Sequence, residues 1–175
     1  MSNSNDVKGL PRTVEEFLAC AYAMEVEASD RYAELALQME SHHNPEVAEL
    51  FSKLSRIEGL HRDQIVAQAG WSSPPSTEVF SWEWPEGAET TDYGDLHYLM
   101  QPWHALKLAE HNEQRAAEFF QRFADSDLSS EVRSEAAEMA EEEREHVRLI
   151  QEWIKRVPEP DANWDTDLDP PQEAD

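Results

Sequence analysis

Four long segments of the chain space their apolar residues three and four apart, the signature of one helix face, and the stretch between the second and third has no such period. The first segment begins at Thr13-Val-Glu-Glu16, a capping-box sequence in which the Thr13 hydroxyl takes an early backbone N–H and Glu16 reaches back. Its stripe runs Phe17, Ala21, Met24, Ala28, Tyr32, Leu35 and Met39. Asn44-Pro45 opens the second, with proline in the first turn and a stripe through Val47, Phe51, Leu54, Ile57 and Ile65. From Gly70 to Gly94 the chain is rich in Pro, Ser, Thr, Trp and acids; Trp71, Phe80, Trp82 and Trp84 are suited to hold it against the side of a bundle. Asp95 is placed to cap a short helix that meets Pro102, where the chain must kink or restart. The third stripe follows through Trp103, Leu106, Ala109, Ala116, Phe120 and Phe123, and the fourth through Val132, Ala136, Met139, Ile150 and Trp153, ending at Pro158. Short links make consecutive helices antiparallel, and a long crossover sets helix 3 parallel to helix 2. The pattern predicts an all-α four-helix bundle over residues 13–157, with a loose lead-in at 1–12.

Several stripe positions are not apolar. Glu25 lies inside the first stripe, whereas Glu27, rotated by about 200°, belongs to the solvent face. Glu58 and His61 interrupt the second stripe, Glu113 the third with Glu110 on the same broad face, and Glu143 and His146 the fourth. A Glu-x-x-His step turns about 300° and rises roughly 4.5 Å, so both side chains leave one face at nearly one height, as two ligands to one metal ion must. Carboxylates at core positions have to be neutralised or paired. The chain is also an internal repeat: Glu25, Ala28, Tyr32 and Ala36 align with Glu113, Ala116, Phe120 and Ala124, and each Glu is followed by a helix bearing Glu-x-x-His. Folded together, the two copies bring four carboxylates and two imidazoles into one core, a charge that two divalent cations would balance. A core built this way for packing alone would be no more stable than one built from leucine.

Composition narrows the partners. With 14 basic and 38 acidic residues among 175, the net charge of −24 disfavours nucleic acid, which needs a basic face, and anionic membrane surfaces. Cations are drawn to such a surface. Cys20 is the only cysteine, which leaves no internal disulfide or Cys-x-x-Cys pair and fits a small buried residue. No stretch reads as a signal peptide or a membrane span, so the protein is expected to be cytoplasmic. The tail, 158–175, is acidic and proline-bearing and is expected to be disordered, with Trp164 as the residue able to dock on the bundle or on a partner. His104 and His111 have no counterpart in the first repeat and are expected to serve at the surface or behind the site.

The paired lone Glu and Glu-x-x-His motifs resemble those of the ferritin-like di-iron carboxylate proteins, and specifically the rubrerythrins, over roughly residues 14–156. The resemblance implies a ferritin-like bundle in which Glu25, Glu58, His61, Glu113, Glu143 and His146 bind two iron ions, with manganese or zinc as substitutes. It implies a non-haem oxidoreductase that reduces hydrogen peroxide, or dioxygen, to water. Three departures matter. No rubredoxin-like segment follows, so an external donor such as a rubredoxin or flavin reductase is expected. Phe120 stands where a second tyrosine would, leaving Tyr32 either as core or as a hydrogen-bond donor beside the site. Glu110 is open as an additional or redox-switching ligand, although register with helix 1 favours Glu113. The alternatives are a ferroxidase or iron-handling protein, and a metal-stabilised helical adaptor without catalysis; a homodimer is expected from the habit of such bundles.

Overall fold

The computed structural model describes residues 11–76 and 97–167. Four helices account for most of them: α1 (Val14–Ser41), α2 (Pro45–Ala69), α3 (Pro102–Ala124) and α4 (Ser130–Ile154). Each start is locally specified. Thr13 Oγ1 accepts the Glu16 N–H at 3.1 Å, while Glu16 reaches past it to the Arg12 N–H at 2.7 Å, so the box closes one residue earlier than the sequence suggests. Asn44 caps α2 through Val47 N–H at 3.4 Å and donates its Nδ2 to the Met100 carbonyl at 2.6 Å, tying the far end of the crossover to the α1–α2 link. Gly70 ends α2 at φ 68°, a left-handed conformation that glycine adopts without a Cβ clash. Ser129 caps α4.

The start of α3 departs from expectation. Asp95 lies outside the described residues, and 97–100 form a turn closed by Met100 N–H to the His97 carbonyl at 2.9 Å. The helix restarts at Pro102, with Gln101 extended at φ −103° and ψ 166°, because a proline ring disfavours the helical conformation in the residue before it. Of the crossover aromatics, Trp71 packs edge-on against Tyr22 at 5.9 Å; Phe80, Trp82 and Trp84 lie outside the described residues.

α1 packs along α2 and α3 along α4, forming two hairpins. Two apolar clusters hold the hairpins together. One joins the first turns of α1 and α4 to the last turns of α2 and α3, around Phe17, Ile65, Phe120, Val132 and Ala136. The other joins the opposite ends, around Leu35, Phe51, Leu54, Leu106 and Ile150. This shared membership makes α2 parallel to α3, as the crossover requires. Phe17 bridges the hairpins with edge contacts to Phe120 at 6.0 Å and Phe123 at 5.7 Å, a favoured aromatic geometry.

Disorder is not what the described part of the tail shows. Through residue 167 it turns back onto the bundle: Trp164 lies 3.8 Å from the His104 ring and 5.2 Å edge-on to His97, and Tyr98 donates its hydroxyl to Asp167 at 2.5 Å. Acidic composition pointed one way, but a single half-buried indole between two imidazoles supplies enough apolar contact to anchor the segment. Trp164→Ala is expected to cost about 1–2 kcal/mol of stability, as a partly buried aromatic should, and to open 158–167 to limited proteolysis. Unchanged melting and cleavage would show that the dock contributes nothing.

Candidate metal centre

Between the two apolar clusters lies one polar layer. Glu25, Glu58, Glu113 and Glu143 are each only 1–3% exposed, and every one comes from a position where the helical period asks for an apolar residue. His61 and His146 complete the layer with side chains 16% exposed, so the cluster touches solvent only through its imidazoles. The two rings stack face to face, 4.3 Å apart and within 8° of parallel. His146 Nδ1 is 3.2 Å from both Glu113 Oε2 and Glu143 Oε2. His61 Nδ1 is more loosely held, at 3.9 Å from Glu25 Oε2 and 3.8 Å from Glu58 Oε2. Thus each histidine sits with the Glu of its own motif and the lone Glu of its own hairpin, as the repeat predicts.

All six predicted residues take part in the close groupings Glu58–His61–His146, Glu25–His61–Glu143 and Glu113–Glu143–His146, with ligand atoms in each within 4.8 Å of one another. Tyr32 is buried and donates its hydroxyl to Glu113 Oε1 at 3.2 Å, so it is both core and a support for the carboxylate. Its repeat partner Phe120 instead packs in the apolar cluster beside Phe17 and Phe119. Glu110 is engaged elsewhere, by Lys107 Nζ and by Gln151 Nε2 at 2.9 Å. Burial alone would raise its carboxyl, but those two donors and the lysine charge hold it below the ordinary range. His104 joins the Trp164 dock, and His111 is exposed on α3. Burial pushes the Cys20 thiol up to about 12, which leaves it inert as a thiolate.

The layer is electrostatically unbalanced. Desolvation, followed by the charges of Glu113 and Glu143, raises Glu58 well above the usual carboxylate range. Desolvation and Glu113 likewise push Glu143 up to about 7, against the stabilising contact with His146. The histidines diverge. Burial and the neighbouring His146 lower His61 to about 4; for His146, burial is outweighed by hydrogen bonds to Glu113 and Glu143, which raise it to about 10. Two rings stacked this closely disfavour a second charge near neutral pH, and the proton goes to the one with 3.2 Å carboxylate contacts. Glu58 Oε2 is fully buried yet makes no hydrogen bond, an arrangement that costs about 1–3 kcal/mol or more unless a cation completes it. Buried oxygen and imidazole donors without enough protons or donors of their own fit a pair of divalent metal ions.

A narrow cavity of about 10 Å³ reaches this layer between α2 and α4, bounded by Leu54, Ile57, Leu149, Ile150 and Trp153 and floored by Glu58, Glu113 and His146. Leu149 was not singled out by the apolar stripe; the available signal was its place three residues beyond His146 on a face otherwise charged.

Comparison with known proteins agrees with this architecture. The crystal structure of an uncharacterised conserved protein from Magnetospirillum magnetotacticum MS-1 superposes with a TM-score of 0.61 at 38% sequence identity, covering 85% of this chain and 98% of that one. Among curated proteins, none matches the chain. The rubrerythrin family matches residues 16–154, a span that holds all four helices but for the first two residues of α1 and includes every member of the polar layer. With its four-helix bundle and its buried Glu and His cluster, the chain belongs to the rubrerythrin family.

Proposed function

We propose that the six-residue layer holds two iron ions and that the protein is a non-haem di-iron oxidoreductase reducing hydrogen peroxide, with dioxygen the slower oxidant. The observation that carries this reading is the convergence of four buried carboxylates and two imidazoles in a layer that packing alone would fill with apolar side chains. Glu25, Glu58, His61, Glu113, Glu143 and His146 would together hold the two ions, which would draw on the carboxylates and imidazoles of both hairpins. Iron, once bound, supplies electrons and Lewis acidity for cleaving an O–O bond.

The chain's own part is positional. His61 is already neutral at physiological pH and offers a lone pair, whereas His146 must give up its proton, so loading releases acid. The Tyr32 hydroxyl fixes the rotation of the Glu113 carboxylate. The two apolar clusters exclude water from above and below the layer. Cys20 is the only cysteine, so a four-cysteine iron centre cannot be made within these residues and electrons must come from a separate redox group.

Anaerobic titration of apo-protein with ferrous iron tests the reading directly. It predicts two irons per chain, then near-ultraviolet oxo-bridge absorption that grows quickly with one equivalent of peroxide and slowly with air. Rapid turnover of excess ferrous iron in air would favour a ferroxidase, and absence of stoichiometric binding would remove the metal assignment. His61→Ala and Glu143→Ala should each lower iron content by about one ion per chain and reduce the melting temperature gained on loading. Tyr32→Phe should retain iron stoichiometry while weakening affinity about 10–100-fold, as loss of a supporting hydrogen bond does.

Proton linkage gives a further expectation. Glu143 and His146 bind protons more tightly folded than unfolded, so their stabilisation is full below their ordinary values of 4.5 and 6.5 and is lost as pH rises through about 7 and about 10 respectively. Glu58 acts in the same sense, and His61 in the opposite one, its contribution full above 6.5 and lost as pH falls from there through about 4, which offsets part of the change. Apo-protein should therefore melt lower at about pH 8 than at about pH 5.5, while the stabilisation conferred by metal grows over the same interval because protons compete with it. Parallel melting curves with and without metal across that range would contradict the linkage.

A further inference from the structure

The repeat makes the two flanks of the polar layer comparable residue by residue. A shift of 85 positions carries Glu58 onto Glu143 and His61 onto His146. It also carries Gln64 onto Leu149, Gln68 onto Trp153, and Ile57 onto Glu142. One flank of a nearly two-fold centre is thus apolar where the other is polar. On the polar flank Gln64, Gln68 and Glu142 are exposed, and Gln68 donates to Glu135 at 2.6 Å. The cavity lies on the apolar flank, where the half-buried Ile57 and Trp153 form its walls and Leu149, 42% exposed, stands between it and solvent.

We propose that the apolar cavity between α2 and α4 is the passage through which dioxygen reaches the six-residue layer, with Leu149 as the residue that limits what enters. Its volume of about 10 Å³ accommodates one water-sized molecule, so dioxygen passes with slight side-chain movement and bulky hydroperoxides do not. Its walls offer no polar partner before Glu58, Glu113 and His146. An anion, a hydrated cation or hydrogen peroxide, which hydrogen-bonds as water does, would have to shed its solvation to cross and is left to the polar flank, whereas apolar dioxygen loses little. The polar flank, with Glu142 and two glutamines, is where water and protons approach instead. Delivery of oxidant to the layer rests on the reading of that layer as a metal centre; the existence of the passage does not.

Two measurements separate the parts. On apo-protein, dissolved dioxygen at raised pressure should broaden the methyl resonances of Ile57, Leu149 and Ile150 more than those of Ile65, the repeat counterpart of Ile150. Equal broadening on both flanks would overturn the passage whatever the metal chemistry. On ferrous-loaded protein, 2,2′-bipyridine, a neutral chelator too large for the native opening, should remove iron about tenfold faster from Leu149→Ala than from the unaltered protein, with Gln64→Ala unchanged. Equal acceleration by both substitutions, or by neither, would overturn the role of Leu149. Failure of the unaltered protein to bind ferrous iron would count against the metal reading alone, since the dioxygen experiment decides the passage by itself.

Discussion

Burying four carboxylates in the middle of a helical bundle is the constraint on which the rest of the architecture depends. Like charges in a low-dielectric interior repel strongly, and without compensation they would separate the hairpins or take up protons. The bundle answers by placing an apolar cluster on each side of the layer, so that the helices are held together above and below a region that would not hold itself. His146 offsets part of the charge, and the raised proton affinities of Glu58 and Glu143 take up more. What is left over, with the buried Glu58 Oε2 atom, which makes no hydrogen bond, as its clearest sign, is consistent with a site for cations.

The likeness between the halves governs how this charge is distributed. Each hairpin brings a lone Glu, a Glu-x-x-His and a set of apolar positions at corresponding heights, which is why the two imidazoles meet face to face. Symmetry stops at the neighbours. Tyr32 hydrogen-bonds to Glu113 of the other hairpin, while Phe120 faces only apolar rings, so the hydroxyl support is given to one half of the layer. The apolar and polar flanks differ in the same way. A nearly symmetric set of six polar side chains thus sits inside an asymmetric surround.

Much of this was legible in the chain before folding, because it depends on period. Helix faces, the side-chain caps at Thr13 and Asn44 and the six polar intrusions all follow from spacing, and the structure puts those six residues together. Register with helix 1 favoured Glu113, but whether Glu110 joined it stayed open, since residues three apart share a face and only the packing angle of α3 separates them. Glu110 is turned toward Gln151 of α4 and Lys107 of its own helix, contacts that no periodicity encodes. Trp164 was visible as a possible dock, yet the pocket that receives it is built from His97 and His104, distant in sequence and unremarkable by type. The turn at 97–100 was equally hidden, because Pro102 marks a break without saying whether helix precedes it.

The hairpin arrangement has an additional consequence for assembly. Contacts within α1–α2 and within α3–α4 are more local than those between the hairpins, so the topology favours forming each hairpin before the two dock. Neither half possesses a complete ligand set; each carries two carboxylates and one imidazole, and the full constellation exists only after docking. A complete polar layer is therefore a sign that both halves have been made and correctly mated.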